Sequence, residues 1–467
     1  MSFISIKFAL FLCVVIALMC MIKDNRKQKI LLLISSYVFY SMGDIRFLLL
    51  LIAVSGLMYF LGLRIDSDRL NAKKYLVLGV VVDVVVLGIF KYFNFFAESF
   101  SNLLGIEYTA LNIILPLGIS FYIFQSISYI ADVYNHKIEV EKQPLNVLLY
   151  IGFFPQIVSG PIVKAHDFLP QLKNSHVITW ENLSAGGQRF LIGLFKKKVI
   201  ADRLAVCVDA VYAAPEAYSS FSILMAVISY SLQIYYDFSG YSDMAIGIAT
   251  MMGFDLGENF NLPYLAKNPS DFWRRWHISL SSWFRDYVYF PLGGSRKGKL
   301  KTYTNLFITM LLSGLWHGAS WAFVAWGAFH ALASVVHKIF SDVRKKKPAK
   351  GANDNSIAGF AAVVINYICV ALLWVPFRTN DIGKAVDIIR RMFSFKTGIH
   401  YIYDYTIVFV IILLVIQVIA ILRNKWNNPI KPLDLGKFWN KVVVLCFIIL
   451  TFVFAYIGDT AFIYAQF

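Results

Sequence analysis

The sequence predicts an all-α polytopic membrane protein, and three observations carry that prediction. Of 467 residues, 58% are hydrophobic and only 15% charged, against ~25% charged in an ordinary soluble domain. Mean hydropathy is +0.62. The apolar residues form continuous runs separated by short charged loops, and many runs approach the ~20 residues a spanning helix needs. They do not alternate with polar residues, which excludes a transmembrane β-barrel.

Candidate spans cover 4–22, 30–42, 46–63, 75–97, 111–130, 145–160, 185–213, 221–252, 303–316, 319–337, 357–377, 404–422 and 441–459. The runs at 30–42 and 145–160 are short, and read as re-entrant segments or as short helices sheltered by neighbours. The expectation is about 11 true crossings, plus re-entrant and interfacial helices, in a single membrane domain over 1–467. No soluble domain, low-complexity tail or internal repeat interrupts it.

The net charge of +16 has a topological reading, because Lys and Arg collect on the cytoplasmic side of a membrane protein. They fall in the loops 23–29, 64–74, 196–203, 296–301 and 338–350, and the basic stretch 338–356 continues through Gly351 to Asn355 as a linker-like segment. No nucleic-acid partner is expected. Residues 8–22 are followed by Lys23, Arg26, Lys27 and Lys29 without a small-residue cleavage site, so the segment reads as a span and not as a cleavable signal. The N-terminus is then expected outside the cell membrane's cytoplasmic face. Cys13, Cys20, Cys207, Cys369 and Cys446 form no CxxC pair and read as small buried hydrophobes.

The window 254–302 is too polar to span and too aromatic for a solvated loop. A helix starting at Ser270 would place Phe272, Trp273, Trp276, Leu280, Trp283, Phe284 and Tyr287 on one face and Arg274, Arg285, Ser281 and Ser282 on the other, with Pro291, Gly293 and Gly294 ending it. That is an interfacial amphipathic helix. His277 lies on its border, where a base, a positioning donor and a plain interfacial histidine are all open readings.

His317 sits in LLSGLWHGASWAF between Gly314 and Gly318. Lys301 precedes it by 16 residues and Lys338 follows it by 21. If both basic loops are cytoplasmic, the chain rises and returns between them. At ~1.5 Å per residue each arm is ~25–30 Å, so Trp316–His317–Gly318 falls at the turn. An ionisable group there is costly and is a functional candidate by default, while a hydrogen bond between helices is the plainer alternative. Low dielectric favours an uncharged imidazole, the form a general base needs. His330, 13 residues on, would face away from His317 on one continuous helix and reads as structural. His136, His166, His176, His337 and His400 read as solvated.

Other chemistry is sparse. His277 and His317 are 40 residues apart, and no HExxH or paired-carboxylate spacing accompanies them, so no metal is expected. There is no Walker, Rossmann or GxSxG pattern. Lys196, Lys197 and Lys198 read as a positive-inside cluster or as an attractor for an anionic donor. Asp83, Asp132, Asp237 and Asp243 are candidates for proton or ion handling, the last two amid tyrosines able to hydrogen-bond them. A transporter calls for more of these and a clearer pair of interrupted helices.

Six segments resemble the membrane-bound O-acyltransferase family: LPLGISFYIFQSISYIADVY (115–134), FFPQIVSGPIVK (153–164), YYDFSGYSDMAIGIA (235–249), PSDFWRRWHISLSSWFRDYVYFPLGGSR (269–296), LSGLWHGASW (312–321) and the closing FIYAQF. The chain is similar to the bacterial branch that contains the membrane subunit of alginate O-acetylation. The resemblance implies a ring of tilted helices with a central tunnel, His317 as the catalytic histidine and His277 as the second histidine of the branch. It also implies an acyl thioester co-substrate, acetyl-CoA or an acyl carrier, with no tightly bound cofactor. Trp273, Arg274, Trp316, Ser313 and Asp237 are the expected substrate-binding residues. The expected reaction moves an acetyl group across the cell membrane to an envelope polysaccharide, with an extracytoplasmic partner of the SGNH hydrolase type. D-alanyl transfer to teichoic acid from a carrier protein is the nearest alternative. A transporter or flippase with His317 as proton relay is the alternative from another class.

Overall fold

The computed structural model describes residues 1–343, 357–401, 412, 432–458 and 462–463. The predicted span at 404–422, apart from Ile412, lies outside them, as do most of the basic stretch 338–356 and the last four residues. Among the described residues the structure is helical and contains no strand; Tyr218 and Ile399 form an isolated bridge. Among the described residues, four helical stretches are long and apolar enough to cross a membrane: Ile45–Ser67, Ala72–Leu104, Trp321–Val343 and Ile357–Thr379. Large apolar side chains cover outward surfaces, such as Ile6, Leu10 and Val14 on one helix and Val443, Leu445 and Phe452 on another. A water-soluble monomer rarely exposes apolar surface on that scale, whereas a bilayer covers it.

The described residues group into two compact units. The first holds Met1–Leu194, Tyr241–Gly257 and Pro432–Val444; the second holds Phe195–Gly240, Glu258–Lys431 and Leu445–Phe467.

The first unit opens with α1 (Ile6–Met21), α2 (Asn25–Ser41) and α3 (Ile45–Ser67). Each starts at an N-cap oxygen that takes an otherwise unsatisfied N–H: Ser5 from Phe8, Asp24 from Lys27 and Asp44 from Arg46. The Asp24 cap draws the polar residues 25–29 into α2, which is why that helix starts before the apolar run 30–42. Next come α4 (Ala72–Leu87), a π turn, and α5 (Phe93–Leu104).

Helix α6 (Ile119–Tyr134) is buried on every side from Ile119 to Val133. Its polar groups are partnered: Ser126 donates to Asp83, Ser128 lies 2.7 Å from the Tyr150 hydroxyl, and Asp132 lies 2.7 Å from His166 Nδ1. Gly62 and Gly79 let α3 and α4 approach it, since a Cβ there would stand 2.8 Å from Tyr129 and 2.6 Å from Ile130. The predicted span 111–130 therefore starts late. Gly118, at φ +70, precedes the helix, and a Cβ on it would sit 2.1 Å from the Ile157 carbonyl oxygen. The run 145–160 becomes two short buried helices, α7 (Pro144–Gly152) and α8 (Phe154–Ile157), followed by α9 (Ala165–Phe168) and α10 (Trp180–Phe195).

Three expectations need correction here. Cys207 is buried, but Cys13, Cys20, Cys369 and Cys446 are exposed on outward helix surfaces, where an apolar thiol suits hydrocarbon. His166 and His176 are not simply solvated. The hydrogen bond to Asp132 holds the His166 imidazole above its ordinary value. His176 stacks on Phe254 at 3.9 Å, its ring nitrogens 3.0 and 2.9 Å from the carbonyls of Gly253 and Gln171. Asp243 meets a cation that the expectation did not include, Arg189 at 2.6 Å.

The second unit contains α11 (Asp202–Ala213) and the start of α12 (Ser220–Met251), then α13 (Pro269–Arg275), α14 (Ile278–Phe284), α15 (Lys299–His317), α16 (Trp321–Val343), α17 (Ile357–Thr379), α18 (Ile382–Met392) and α19 (Phe438–Phe454), whose last turns belong here. Helices α15 and α16 form the expected hairpin, broken at Gly318–Ser320. Their close crossing rests on two glycines: a Cβ on Gly314 would stand 2.5 Å from the Phe323 carbonyl oxygen and 2.7 Å from the Gly327 Cα.

Gly314→Ala should therefore destabilise the protein by about 1–3 kcal/mol through overpacking. Gly56→Ala, in α3 with open space around the new methyl, should be neutral or stabilising by ~0.5–1 kcal/mol. Thermal unfolding of the detergent-purified variants compares the two, and equal effects would refute the close-crossing argument.

Candidate active site

The predicted continuous helix from Ser270 is two helices. Asn268 caps α13 by accepting the Asp271 N–H at 2.9 Å, and Pro269 occupies the first turn. The chain then leaves helical geometry at Trp276 (φ −100, ψ 126) and His277 (φ 44, ψ 56) before α14 begins. A non-glycine residue in the left-handed region costs about 1–3 kcal/mol, so its surroundings must hold it there. The preceding loop does this. Asn261 N–H donates to the Arg275 carbonyl and Ile278 N–H to the Asn259 carbonyl, each at 2.9 Å, while Asn259 Oδ1 accepts the Ser279 hydroxyl at 2.9 Å. The His277 carbonyl in turn accepts the Ser281 N–H and starts α14. The predicted faces survive the break: Phe272, Trp276, Leu280, Trp283 and Phe284 are buried, and Arg274 and Arg285 are exposed.

This break turns the His277 ring into the protein, fully buried. It meets Phe238 edge-on at 4.6 Å and Trp316 at 6.0 Å. Burial lowers its imidazole from 6.5 to about 3, so it is uncharged near neutrality.

His317 is the last residue of α15 and 2% exposed. Three aromatic rings stand edge-on to it: Trp316 and Trp326 at 5.0 Å and Phe377 at 5.3 Å. The indole of Trp316 is thus the common neighbour of His277 and His317. The structure brings the two histidines into one cluster across 40 residues of sequence. Ser313 is buried one turn before His317, and Trp273 packs against Trp326 at 5.7 Å.

Two of the expected substrate-binding residues sit differently. Arg274 lies on the exposed face of α13. Asp237 is buried, and its oxygens accept from Lys197 Nζ at 2.6 Å and from the Ile463 N–H at 2.8 Å. Lys197 also pairs with Asp202 at 2.9 Å, and Lys198 pairs with Asp202 at 2.9 Å. The lysine cluster is therefore largely neutralised inside the protein, and Asp237 is partnered by cation and backbone instead of tyrosine.

Trp326 and His330 join the cluster, which the helical count from His317 does not foresee. That count holds only on one continuous helix, whereas α15 ends at His317 and His330 belongs to α16. Trp326 touches both rings, His317 at 5.0 Å and His330 at 4.7 Å. The i, i+4 spacing of Trp326 and His330 was the available signal, had the count begun at Trp321. Trp374 completes the cluster, stacked on Trp326 at 5.6 Å and donating to the Tyr264 hydroxyl at 3.2 Å. Among the described residues no group of three His, Cys, Asp or Glu side chains is arranged to hold a metal.

A family model described as MBOAT, membrane-bound O-acyltransferase family, matches residues 32–377, a stretch that includes every ring around His317. The chain belongs to the membrane-bound O-acyltransferase family. It is 40% identical over 386 residues to the probable alginate O-acetylase AlgI of Pseudomonas aeruginosa, covering 80% of this chain and 72% of that protein. It is 36% identical over 398 residues to a peptidoglycan O-acetyltransferase of Helicobacter pylori, covering 79% and 74%. A teichoic acid D-alanyltransferase of Bacillus subtilis is 32% identical over 269 residues, covering 55% and 67%. This chain is accordingly a multi-pass membrane O-acyltransferase of the branch resembling the alginate O-acetylases.

Two outcomes follow from the site's electrostatics. Because the folded His277 imidazole stays neutral down to about 3 while the unfolded one protonates near 6.5, its contribution to stability is complete above pH 6.5 and is lost as pH falls toward 3, by at most ~1.4 kcal/mol per pH unit. Thermal unfolding should show wild type losing more stability than His277→Gln between pH 7.5 and 5. Lys197→Met, which leaves Asp237 without its cation and Asp202 with Lys198 alone, should cost about 3–5 kcal/mol, read as lost folded yield in detergent.

Proposed function

We propose that the enzyme moves an acetyl group from a cytoplasmic thioester, acetyl-CoA or an acyl carrier, for O-acetylation of an extracytoplasmic polysaccharide. The observation that carries this reading is the seating of His317 at the end of α15, in a cage of rings that it shares with His277 through Trp316. In the reaction, the imidazole of His317 takes the proton of an acceptor hydroxyl as its oxygen attacks the thioester carbonyl carbon. The new C–O bond forms and the C–S bond breaks. The departing thiolate takes the proton from the imidazolium, which returns His317 to its neutral form and releases a free thiol. His277 and Trp273 position the thioester or stabilise the developing oxyanion. An SGNH-type partner on the outer side completes transfer to the polymer, which we take to be an alginate-like or other envelope glycan.

We place the protein in the cytoplasmic membrane, with about 11 crossings and a tunnel that admits donor and acceptor from opposite faces. The first unit supports the orientation. Hydrogen bonds from Asn25 to the Leu172 and Lys173 carbonyls, from Gln28 to His176 and from Arg69 to Val133 gather the loops at one end of its helices. That end carries Lys23, Arg26, Lys27, Lys29, Arg64, Lys73 and Lys74, the pattern of a cytoplasmic face. Helix α1 leads into it, so the N-terminus lies on the outer side.

The relation to a teichoic acid D-alanyltransferase keeps D-alanyl transfer as a second reading. Purified protein in liposomes tests both. Wild type should transfer label from radiolabelled acetyl-CoA, and His317→Ala should lose it by about 10²–10⁴-fold while inserting normally. Undiminished transfer in the variant refutes the role of His317. Transfer only from a D-alanyl carrier thioester favours the second reading, and proton-coupled solute flux without acyl transfer refutes an acyltransferase centred on His317.

A further inference from the structure

Beside His317 lie three rings in mutual contact. Trp273 and Trp326 meet at 5.7 Å, Trp273 and His330 at 5.0 Å, and Trp326 and His330 at 4.7 Å. Each carries a buried ring nitrogen, Trp273 Nε1, Trp326 Nε1 and His330 Nε2, with no hydrogen-bond partner among the described residues. Trp326 and His330 are 0% and 2% exposed. Their neighbours are mostly aromatic: Phe272 is stacked 6.2 Å from His330, and Trp374 and Phe377 lie 5.6 and 5.3 Å from Trp326. Rings offer these nitrogens little beyond a weak π contact.

Three buried polar atoms left without partners in one contact cluster are costly, at about 1–3 kcal/mol each. An indole N–H can only donate. The cluster is therefore suited to a ligand that brings acceptors and few donors. Trp326 also packs edge-on with the His317 ring at 5.0 Å, which sets the cluster beside the proposed base.

We propose that Trp273, Trp326 and His330 form the subsite for the carbonyl oxygen of the acyl donor, an acyl-phosphopantetheine thioester. The proposal rests on the thioester reading above and adds two residues to it. The two indole N–H groups donate to the oxygen, and His330, in the tautomer with its proton on Nε2, adds a third donor. The same donors strengthen as negative charge develops on that oxygen during attack, which is the requirement for an oxyanion site.

The test uses two ligands that cannot transfer an acyl group and differ by one oxygen: S-acetonyl-CoA, which keeps a ketone, and S-propyl-CoA, which lacks it. Affinities are measured by calorimetry on the full-length protein in detergent. Wild type should bind the ketone at least ~10-fold more tightly, the effect of about one charge-free hydrogen bond. In Trp326→Phe and in His330→Phe that preference should fall toward 1, while affinity for S-propyl-CoA stays within about twofold, showing that the site is still folded. A preference unchanged in both variants overturns the subsite. The same ligand pair built on pantetheine alone separates a nucleotide-bearing donor from a carrier-borne one, and the preference in either pair supports the subsite. Wild type that binds neither pair overturns the thioester reading itself.

Discussion

The close crossing of Gly314 and Gly327 is the constraint on which the site depends. A pair of helices joined by three residues has little freedom in how far apart its arms can stand. With glycine on both arms the backbones nearly touch, and the ring of Phe323 lies so close to Gly318 that a Cβ there would sit 2.2 Å from it. That packing ends α15 at His317 and holds the imidazole against the opposite arm, within reach of Trp326. Larger residues at the crossing would move the arms apart by side-chain dimensions, and a catalytic geometry tolerates far less than that.

The second half of the site reaches the same place by a different device. His277 occupies a left-handed conformation because a loop on the preceding stretch, through Asn259 and Asn261, hydrogen-bonds both flanks of the break. Strain at one residue is offset by several bonds around it. The common neighbour, Trp316, then joins a strained turn on one side to a helix end on the other. Aromatic side chains are well suited to such a junction. They bury large apolar area with few rotatable bonds, so a ring that fills the core also fixes direction.

Much of this was legible in the sequence. The apolar runs located most of the helices to within a few residues, the distance between Lys301 and Lys338 placed a turn at His317, and the periodicity of 270–287 gave the correct buried face. What escaped has physical reasons. The break at Trp276–His277 carries neither glycine nor proline, and its cause lies in Asn259, about 18 residues earlier by the chain numbering. The lysine cluster looked like a surface feature because ordinary helical spacing does not join Lys197 to Asp202. The π turn over Lys196–Ala201 brings residues five apart onto one side, and Lys197 reaches both Asp202 and Asp237. The opposite face expected for His330 on one continuous helix does not apply, because the short break at Gly318–Ser320 resets the helical phase. In each case the deciding contact is long-range or depends on an irregular turn, and periodicity averages such features away.

The bond from the Ile463 N–H to Asp237 spans 226 residues. A nascent chain, emerging at ~5–20 residues per second, therefore carries Asp237 without that donor for roughly 10–45 s. During this interval Lys197 is the cation that compensates Asp237, while Asp202 also has Lys198. Phe462, which packs on Phe238 at 6.0 Å and so one ring away from His277, arrives equally late. The order of synthesis thus makes this neighbourhood of the second unit among the last to mature, and quality-control machinery meeting the inserted chain early would find helices in place around an unfinished interior.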